Sequence, residues 1–259
     1  MSVLAGVARV VVVHAHPDDE TLATGALLAH LARTGVEVHV VTATRGERGG
    51  VVAGVPAGDP GTDSYSAQRE QELACALVQL GVHHHAFLGA PPARAPGQPP
   101  RVYRDSGMAW LTPQLAGPVT DAGPQALTAA SVTEAAADLS AYVTQIDPDL
   151  LLTYDASGGY GHPDHVRMHA VVAASAEETG VAMAEFLGPQ VAGDLETLDA
   201  DRDTEHLDLV GEYPAVAAAL RCHKTQLVLE GTDVVHQGGQ REPMLLSATL
   251  RPVSTSREG

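Results

Sequence analysis

Apolar and polar positions fall in blocks along this chain, and the blocks predict strands and helices in turn. Val7 to Val13 is mostly β-branched, as in a strand covered on both faces. Pro17 stands where a first helical turn begins, and the acidic residues behind it favour a helix N-terminus. Leu27, Leu28 and Leu31 carry that helix to about Arg33, with Gly35 as its stop. Val36 to Thr42 is a second strand, followed by a Gly-rich loop from about Arg45 to Ser64. A Leu73/Leu77/Leu80 stripe marks a helix from about Ser66 to Leu80, ended at Gly81, and Val82 to Leu88 is a third strand. Residues 89 to about 128 are irregular and rich in Pro and Gly, a length that is usually functional inside a compact domain. Ser131-Val132-Thr133-Glu134 reads as a capping box that opens a helix to about Ile146. Pro148 breaks it, and Asp149 to Tyr154 is a fourth strand. After the Gly158-Gly159-Tyr160-Gly161 turn, Pro163 opens a helix to about Thr179, closed by Gly180.

Strand–helix alternation repeated four times predicts an α/β fold, a mostly parallel sheet with helices on both faces. One domain is expected over residues 1–259, with weaker order after about 188. There an acidic stretch (Asp194 to Asp208) reads as a solvated face, followed by an Ala-rich helix near Pro214 to Leu227 and a closing strand near Met244 to Arg251. Ligands of such sheets sit beyond the carboxyl ends of the strands. Two clusters occupy such places: His14-Ala15-His16-Pro17-Asp18-Asp19-Glu20 after the first strand and Tyr160-Gly161-His162-Pro163-Asp164-His165 after the fourth.

Composition narrows the partners. Acidic residues number 32 against 15 basic ones, a net charge of −17. Phosphate-neutralising surfaces for nucleic acid or anionic membranes are therefore not expected. Aromatics are 3%, too few for a base-stacking platform. No apolar run reaches the ~20 residues of a bilayer span, and the first strand lacks a basic leader, so a cytoplasmic address is expected. Cys75 and Cys222 are then expected as free thiols, Cys75 as small core filler. The 13 histidines are the outlier and direct attention to metal ligation.

A catalytic zinc keeps three N or O ligands and an open position for water. His16 and Asp19 lie three apart across a strand-to-helix turn and can converge. His165, one turn into the later helix, closes the site if the first and fourth strands are neighbours. The pattern His-x-His-Pro-Asp-Asp-Glu after an apolar strand, with a later His-Pro-Asp-His, resembles the LmbE-like or PIG-L family of metal-dependent N-deacetylases. The segment Gly158 to His165 and Tyr103-Arg104-Asp105-Ser106-Gly107-Met108 are similar to its mycothiol-pathway branch, which includes the N-acetylglucosaminyl-inositol deacetylase and the mycothiol-conjugate amidase. The resemblance covers about residues 7 to 180 and returns weakly at His223-Lys224-Thr225-Gln226.

This resemblance implies a Rossmann-like fold and one Zn2+ on His16, Asp19 and His165, a donor set that also accepts Fe2+. It implies Asp18 as general base, with His162 as oxyanion donor and acid if protonated. Asp164 would orient His162, and Tyr160 would help to polarise the carbonyl. Arg69 and Asp105 match positions that contact substrate hydroxyls. The implied substrate is a small N-acetyl amino sugar conjugate; no oligomeric state is implied.

Plainer readings stand beside these. His14 points away from His16 on an extended strand and is expected to be structural. His169 has the i, i+4 spacing of a zinc pair with His165, but the family pattern uses only His165. His83-His84-His85 lies in a strand, where consecutive side chains diverge. Arg69 can pair with Glu72, Asp105 can cap a turn, and Tyr160 can be an ordinary loop aromatic. His223 is a weak site candidate. Gly46, Gly49 and Gly50 make no dinucleotide fingerprint. Three functions compete: deacetylation of an N-acetylglucosamine conjugate, such as the inositol or malate one; amide cleavage of a mycothiol S-conjugate; and sugar binding by a metal-containing protein without catalysis.

Overall fold

A computed structural model describes residues 2–188 and 204–253. The strand of residues Arg9–His14 (β1) is central, and Val10 to Val13 are fully buried, as a β-branched run with both faces covered requires. β2 (Glu37–Thr42) and β3 (His84–Phe87) lie to one side of it. On the other side come β6 (Leu150–Tyr154) and β7 (Ala182–Phe186). These five strands are parallel, in the order β3-β2-β1-β6-β7. Two antiparallel strands extend the sheet, β12 (Ser247–Val253) on β7 and β8 (Glu205–Asp208) on β12. The fold is Rossmann-like. The register Val10↔Leu150, Val11↔Leu151, Val12↔Leu152 puts the carboxyl ends of β1 and β6 side by side, the condition on which His165 could reach the first motif.

The helices are α1 (Asp19–Arg33), α2 (Asp63–Gln79), α3 (Val132–Ile146), α4 (Pro163–Thr179) and α5 (Tyr213–Leu220). α3 packs on α4, while α1 and α2 both pack on α5. Local chemistry sets their ends. Ser131 accepts the Glu134 amide, and α4 has Pro163 in its first turn and Gly180 at φ 74° beyond its last. α2 starts at Asp63, three residues before the expected Ser66, because Thr62 caps it by accepting the Tyr65 amide.

Sequence reading missed several elements. Residues 89–128 contain a hairpin, β4 (Ala109–Thr112) with β5 (Leu115–Gly117). A three-stranded sheet of β9 (Leu227–Glu230), β10 (Asp233–His236) and β11 (Arg241–Pro243) was not foreseen either. The Ala-rich helix stops at Leu220, well before Leu227, where β9 begins. Of the acidic stretch, Asp194 to Asp203 lies outside the described residues, and its end forms β8.

Cys75 and Cys222, expected as free thiols, are joined in a disulfide between α2 and the end of α5. They stand 147 residues apart in sequence, and only the packing of α2 on α5 brings them together. Such a bridge is uncommon in a reducing cytosol, on which the free-thiol expectation was built. Among the described residues, no helix is long and apolar enough to cross a membrane.

Candidate active site

β1 ends at His14, and the chain turns sharply into α1. Asp18 takes φ 98°, a region that residues with a Cβ rarely adopt, and its side chain makes no capping hydrogen bond. This turn aims His16, Asp18 and Asp19 at the end of β6. From the other side, the Gly158 to Gly161 turn delivers His162 and His165 at the start of α4. Gly158 has φ 69°, and a Cβ there would stand 2.7 Å from the Val166 amide nitrogen, so the turn needs a glycine.

The predicted ligands converge. Asp19 Oδ2 lies 3.2 Å from His16 Nδ1 and 3.3 Å from His165 Nε2. Ligand atoms about 2.1 Å from a tetrahedral ion stand about 3.4 Å apart, so these separations suit a shared divalent cation. Among the described residues His165 Nε2 is buried without a hydrogen-bond partner, so its lone pair is available to a metal. The ring nitrogens of His16, His162 and His165 also lie within 4.8 Å of one another, and all three residues are buried.

The carboxylates beside them are sorted by environment. Burial opposes ionisation of Asp19, but His165 and His16 overcome it and hold its carboxyl well below the usual range. Asp19 Oδ2 also accepts the His16 amide at 2.8 Å and the Tyr154 hydroxyl at 2.7 Å. Asp18 is pushed up to about 6, chiefly by burial and in part by Asp19, while Arg69 pulls it down. A carboxylate poised there suits a base working near neutrality.

Asp164 departs from expectation. Its carboxylate does not orient His162 but faces His16, with Oδ2 3.1 Å from His16 Nε2. Ser106 fixes it by donating its amide at 2.9 Å and its hydroxyl at 2.5 Å. A carboxylate on the outer nitrogen of a ligating imidazole holds its tautomer and orientation, leaving Nδ1 for the ion. What reaches His162 is the Asp164 amide, which donates to His162 Nδ1 at 3.1 Å. Burial, then the charges of His16 and His165, lower the His162 pKa to about 2, which favours the neutral ring over the protonated one on which its role as acid was conditional. With Nδ1 accepting, Nε2 carries the proton and is a donor.

Arg69 also differs from its expected role on substrate. It is 2% exposed, and its guanidinium donates to Gly46 O at 2.7 Å, to Pro17 O, and to Asp18 Oδ2 at 3.2 Å. It does not pair with Glu72, whose carboxylate accepts from Thr225. A Cβ on Gly46, at φ 64°, would collide with this guanidinium. Asp105 is buried and caps a turn, accepting the Gly107 amide at 2.7 Å and the Arg48 amide at 3.1 Å. Its Oδ1 nevertheless stands 3.6 Å from His16 Nε2. Tyr160 lies beside His165 and His162, with ring centroids 5.3 and 6.1 Å apart, and burial raises its hydroxyl well above the ordinary range, keeping it a donor.

The other histidines lie apart. His14 is enclosed by the Tyr154 and Phe186 rings and by Thr24, and His169 pairs with Glu185 at 2.9 Å. His85 turns inward to Thr42, whereas His84 stacks on His39. Sequence reasoning missed Tyr154 and Ser106. Tyr154 ends β6, the place where a parallel strand delivers site residues, and Ser106 stands beside Asp105 in a quoted motif; both positions were legible, but their partners were not. A cavity of about 440 Å3 adjoins Asp105, with Glu47, Arg48, Gly107 and Met108 in its lining.

The family profile of PIG-L, described as GlcNAc-PI de-N-acetylase, matches residues 11–176. The chain belongs to the PIG-L family. Among curated relatives, the 1D-myo-inositol 2-acetamido-2-deoxy-alpha-D-glucopyranoside deacetylase of Kineococcus radiotolerans is 38% identical, with 86% of this chain and 70% of that protein aligned. The protein of the same name from Actinosynnema mirum is 36% identical, over 92% of this chain and 89% of that one. Solved structures agree on the PIG-L fold. A deacetylase of teicoplanin biosynthesis, in complex with teicoplanin, superposes with a TM-score of 0.63 at 19% identity, covering 97% of this chain and all 100% of that one. The N,N'-diacetylchitobiose deacetylase of Pyrococcus horikoshii gives 0.56 at 18% identity, over 85% of this chain and 71% of that one.

Proposed function

We propose that this PIG-L protein is a metal-dependent hydrolase that removes the acetyl group from an N-acetylglucosamine-type conjugate, with N-acetylglucosaminyl-inositol as the first substrate to test. The observation that carries the reading is Asp19 Oδ2 standing 3.2 Å from His16 Nδ1 and 3.3 Å from His165 Nε2, beside a carboxylate, Asp18, pushed up to about 6. The names of the curated relatives support the substrate class.

His16, Asp19 and His165 would hold the ion, with zinc favoured by their N and O donors and ferrous iron accepted by the same set. A bound divalent cation supplies Lewis acidity, which polarises the acetamide carbonyl and lowers the pKa of water toward ~7. Asp164, anchored on Ser106, keeps His16 in the orientation that offers Nδ1. Asp18 takes a proton from the attacking water as the water oxygen bonds to the carbonyl carbon. His162 Nε2–H and the Tyr160 hydroxyl donate toward the carbonyl oxygen while negative charge grows there. When the C–N bond breaks, the electron pair stays on nitrogen, and the proton held at Asp18 passes to it. Acetate and a free amine result. The cavity beside Asp105 gives room for the rest of the conjugate.

The test is an amine-release assay on a panel: N-acetylglucosaminyl-inositol, N-acetylglucosaminyl-malate, free N-acetylglucosamine and a mycothiol S-conjugate. It is run on chelated protein and again with zinc or ferrous iron restored. Metal-dependent acetate and amine from the sugar conjugates is the expected result. Turnover of the S-conjugate alone would make the chain an amidase, and metal binding with no product from any compound would make it a binding protein.

A further inference from the structure

The helix that carries Asp19 begins in an unusual way. An N-cap residue ordinarily turns its own side chain back to accept an amide of the first turn. Asp18 is the N-cap of α1, yet its carboxylate makes no such bond and meets the Arg69 guanidinium instead. The holding is done by Glu20. The Asp18 amide donates to Glu20 Oε2 at 2.9 Å, while the Asp18 carbonyl accepts the Thr21 and Leu22 amides at 3.0 and 2.9 Å. The peptide groups on both sides of a residue at φ 98° are therefore tied down.

Glu20 is itself locked. It is fully buried, and its Oε1 accepts the Thr21 hydroxyl at 2.5 Å and His223 Nε2–H at 2.8 Å. His223 is also fully buried and comes from 203 residues further along the chain. The segment that brings it is anchored on α2 and the Gly-rich loop. Thr225 donates its amide and hydroxyl to Glu72 at 3.0 and 2.6 Å, and Gln226 Nε2 donates to the Tyr65 hydroxyl at 2.8 Å and to Gly50 O at 3.1 Å. α2 also carries Arg69, the cation on the Asp18 carboxylate. One segment thus braces both the backbone and the side-chain partner of Asp18.

We propose that Glu20, locked by His223, is a positioning residue for Asp18: it holds the Asp18 amide and so fixes the direction in which the Asp18 carboxylate meets the attacking water. The proposal rests on the reading of Asp18 as the base. Misplacing a catalytic group by about 1 Å is enough to slow turnover by up to about 10²-fold.

The experiment compares His223→Leu, which removes the donor, with His223→Gln, whose amide nitrogen sits close to the place of Nε2. Both are made in the wild-type and Asp18→Ala backgrounds, with kcat, KM, bound metal and thermal unfolding measured on the metal-loaded protein. His223→Leu is expected to lower kcat by about 10- to 100-fold, with KM and bound metal kept within about twofold, and His223→Gln to regain most of the loss. In the Asp18→Ala background His223→Leu should cause no further fall. If the leucine variant does not fold, His223→Asn, polar but too short to reach Glu20, should give the same fall. Wild-type kcat in the folded variant, or an equal fall in the Asp18→Ala background, overturns the proposal while leaving the base reading intact. Full turnover by Asp18→Ala alone overturns the base reading and the proposal with it.

Discussion

Imidazoles and carboxylates gather at both ends of the parallel sheet, and the two gatherings differ in kind. At the carboxyl ends of β1 and β6, His16, His162 and His165 are buried, Asp18 stands at φ 98°, and His165 Nε2 has no hydrogen-bond partner among the described residues. At the other end of the sheet, Glu37, His39 and His84 also bring ligand atoms within 4.8 Å of one another. There, however, His39 and Glu37 are already paired. His39 Nδ1 has the Tyr142 hydroxyl at 2.8 Å, His39 Nε2 has Glu37 at 2.8 Å, and Glu37 is paired with Arg9 at 3.1 Å. The His84 ring lies flat on His39, with centroids 4.3 Å apart, so the in-plane lone pairs of the two rings do not aim at one point. Proximity of metal-binding residue types is thus not enough. What separates the two is burial of the whole cluster and one buried ring nitrogen, His165 Nε2, left without a hydrogen bond among the described residues.

Substitutions sharpen this contrast. The largest effects are expected at the site end. Asp18→Ala should lower kcat by about 10²–10⁴-fold while bound metal stays at the wild-type level, measured by amine release and elemental analysis. His165→Ala should lose the metal and, with it, the activity. Equal metal loss in both variants would merge the two roles that the geometry separates. Tyr160→Phe should reduce kcat by about 10²-fold with little change in KM, as removal of one oxyanion donor does.

Effects away from the site are expected on stability and not on turnover. Burial lowers the pKa of His39 and brings that of His85 to about 4, so both are neutral when folded. Their contribution is fully present above the ordinary histidine pKa near ~6.5 and is lost as pH falls toward the folded value. Urea midpoints should therefore drop between about pH 6.5 and pH 4, and His85→Gln should flatten that slope. An unchanged slope would place the acid sensitivity elsewhere. The smallest effect belongs to the opposite cluster: His84→Ala should leave both metal content and kcat at wild-type levels, and a loss of bound metal in that variant would break the comparison.

The same contrast explains what could be read from the sequence. The order of strands and helices was legible because each signal is local: a β-branched run, Pro163 and Gly180 bounding α4, Ser131 capping α3. That His16, Asp19 and His165 lie near strand ends was legible because two short motifs each follow a strand; that those two strands are neighbours is shown by the sheet order and not by the alternation. Long-range pairings were not. Asp164 was assigned to His162, two residues away, whereas Ser106, 58 residues away, turns it to His16. Arg69 was read toward substrate because nothing local reveals that Gly46 O and Pro17 O enclose it. The Cys75–Cys222 bridge and the Glu20–His223 pair likewise depend on α5 meeting α1 and α2, which no periodicity encodes.

The account stands most directly on where an ion binds. Anomalous diffraction from a crystal of the zinc-loaded protein should show one strong peak about 2.0–2.2 Å from His16 Nδ1, His165 Nε2 and an Asp19 oxygen. A peak on Glu37, His39 and His84 instead, or none among the residues at the ends of β1 and β6, would contradict it.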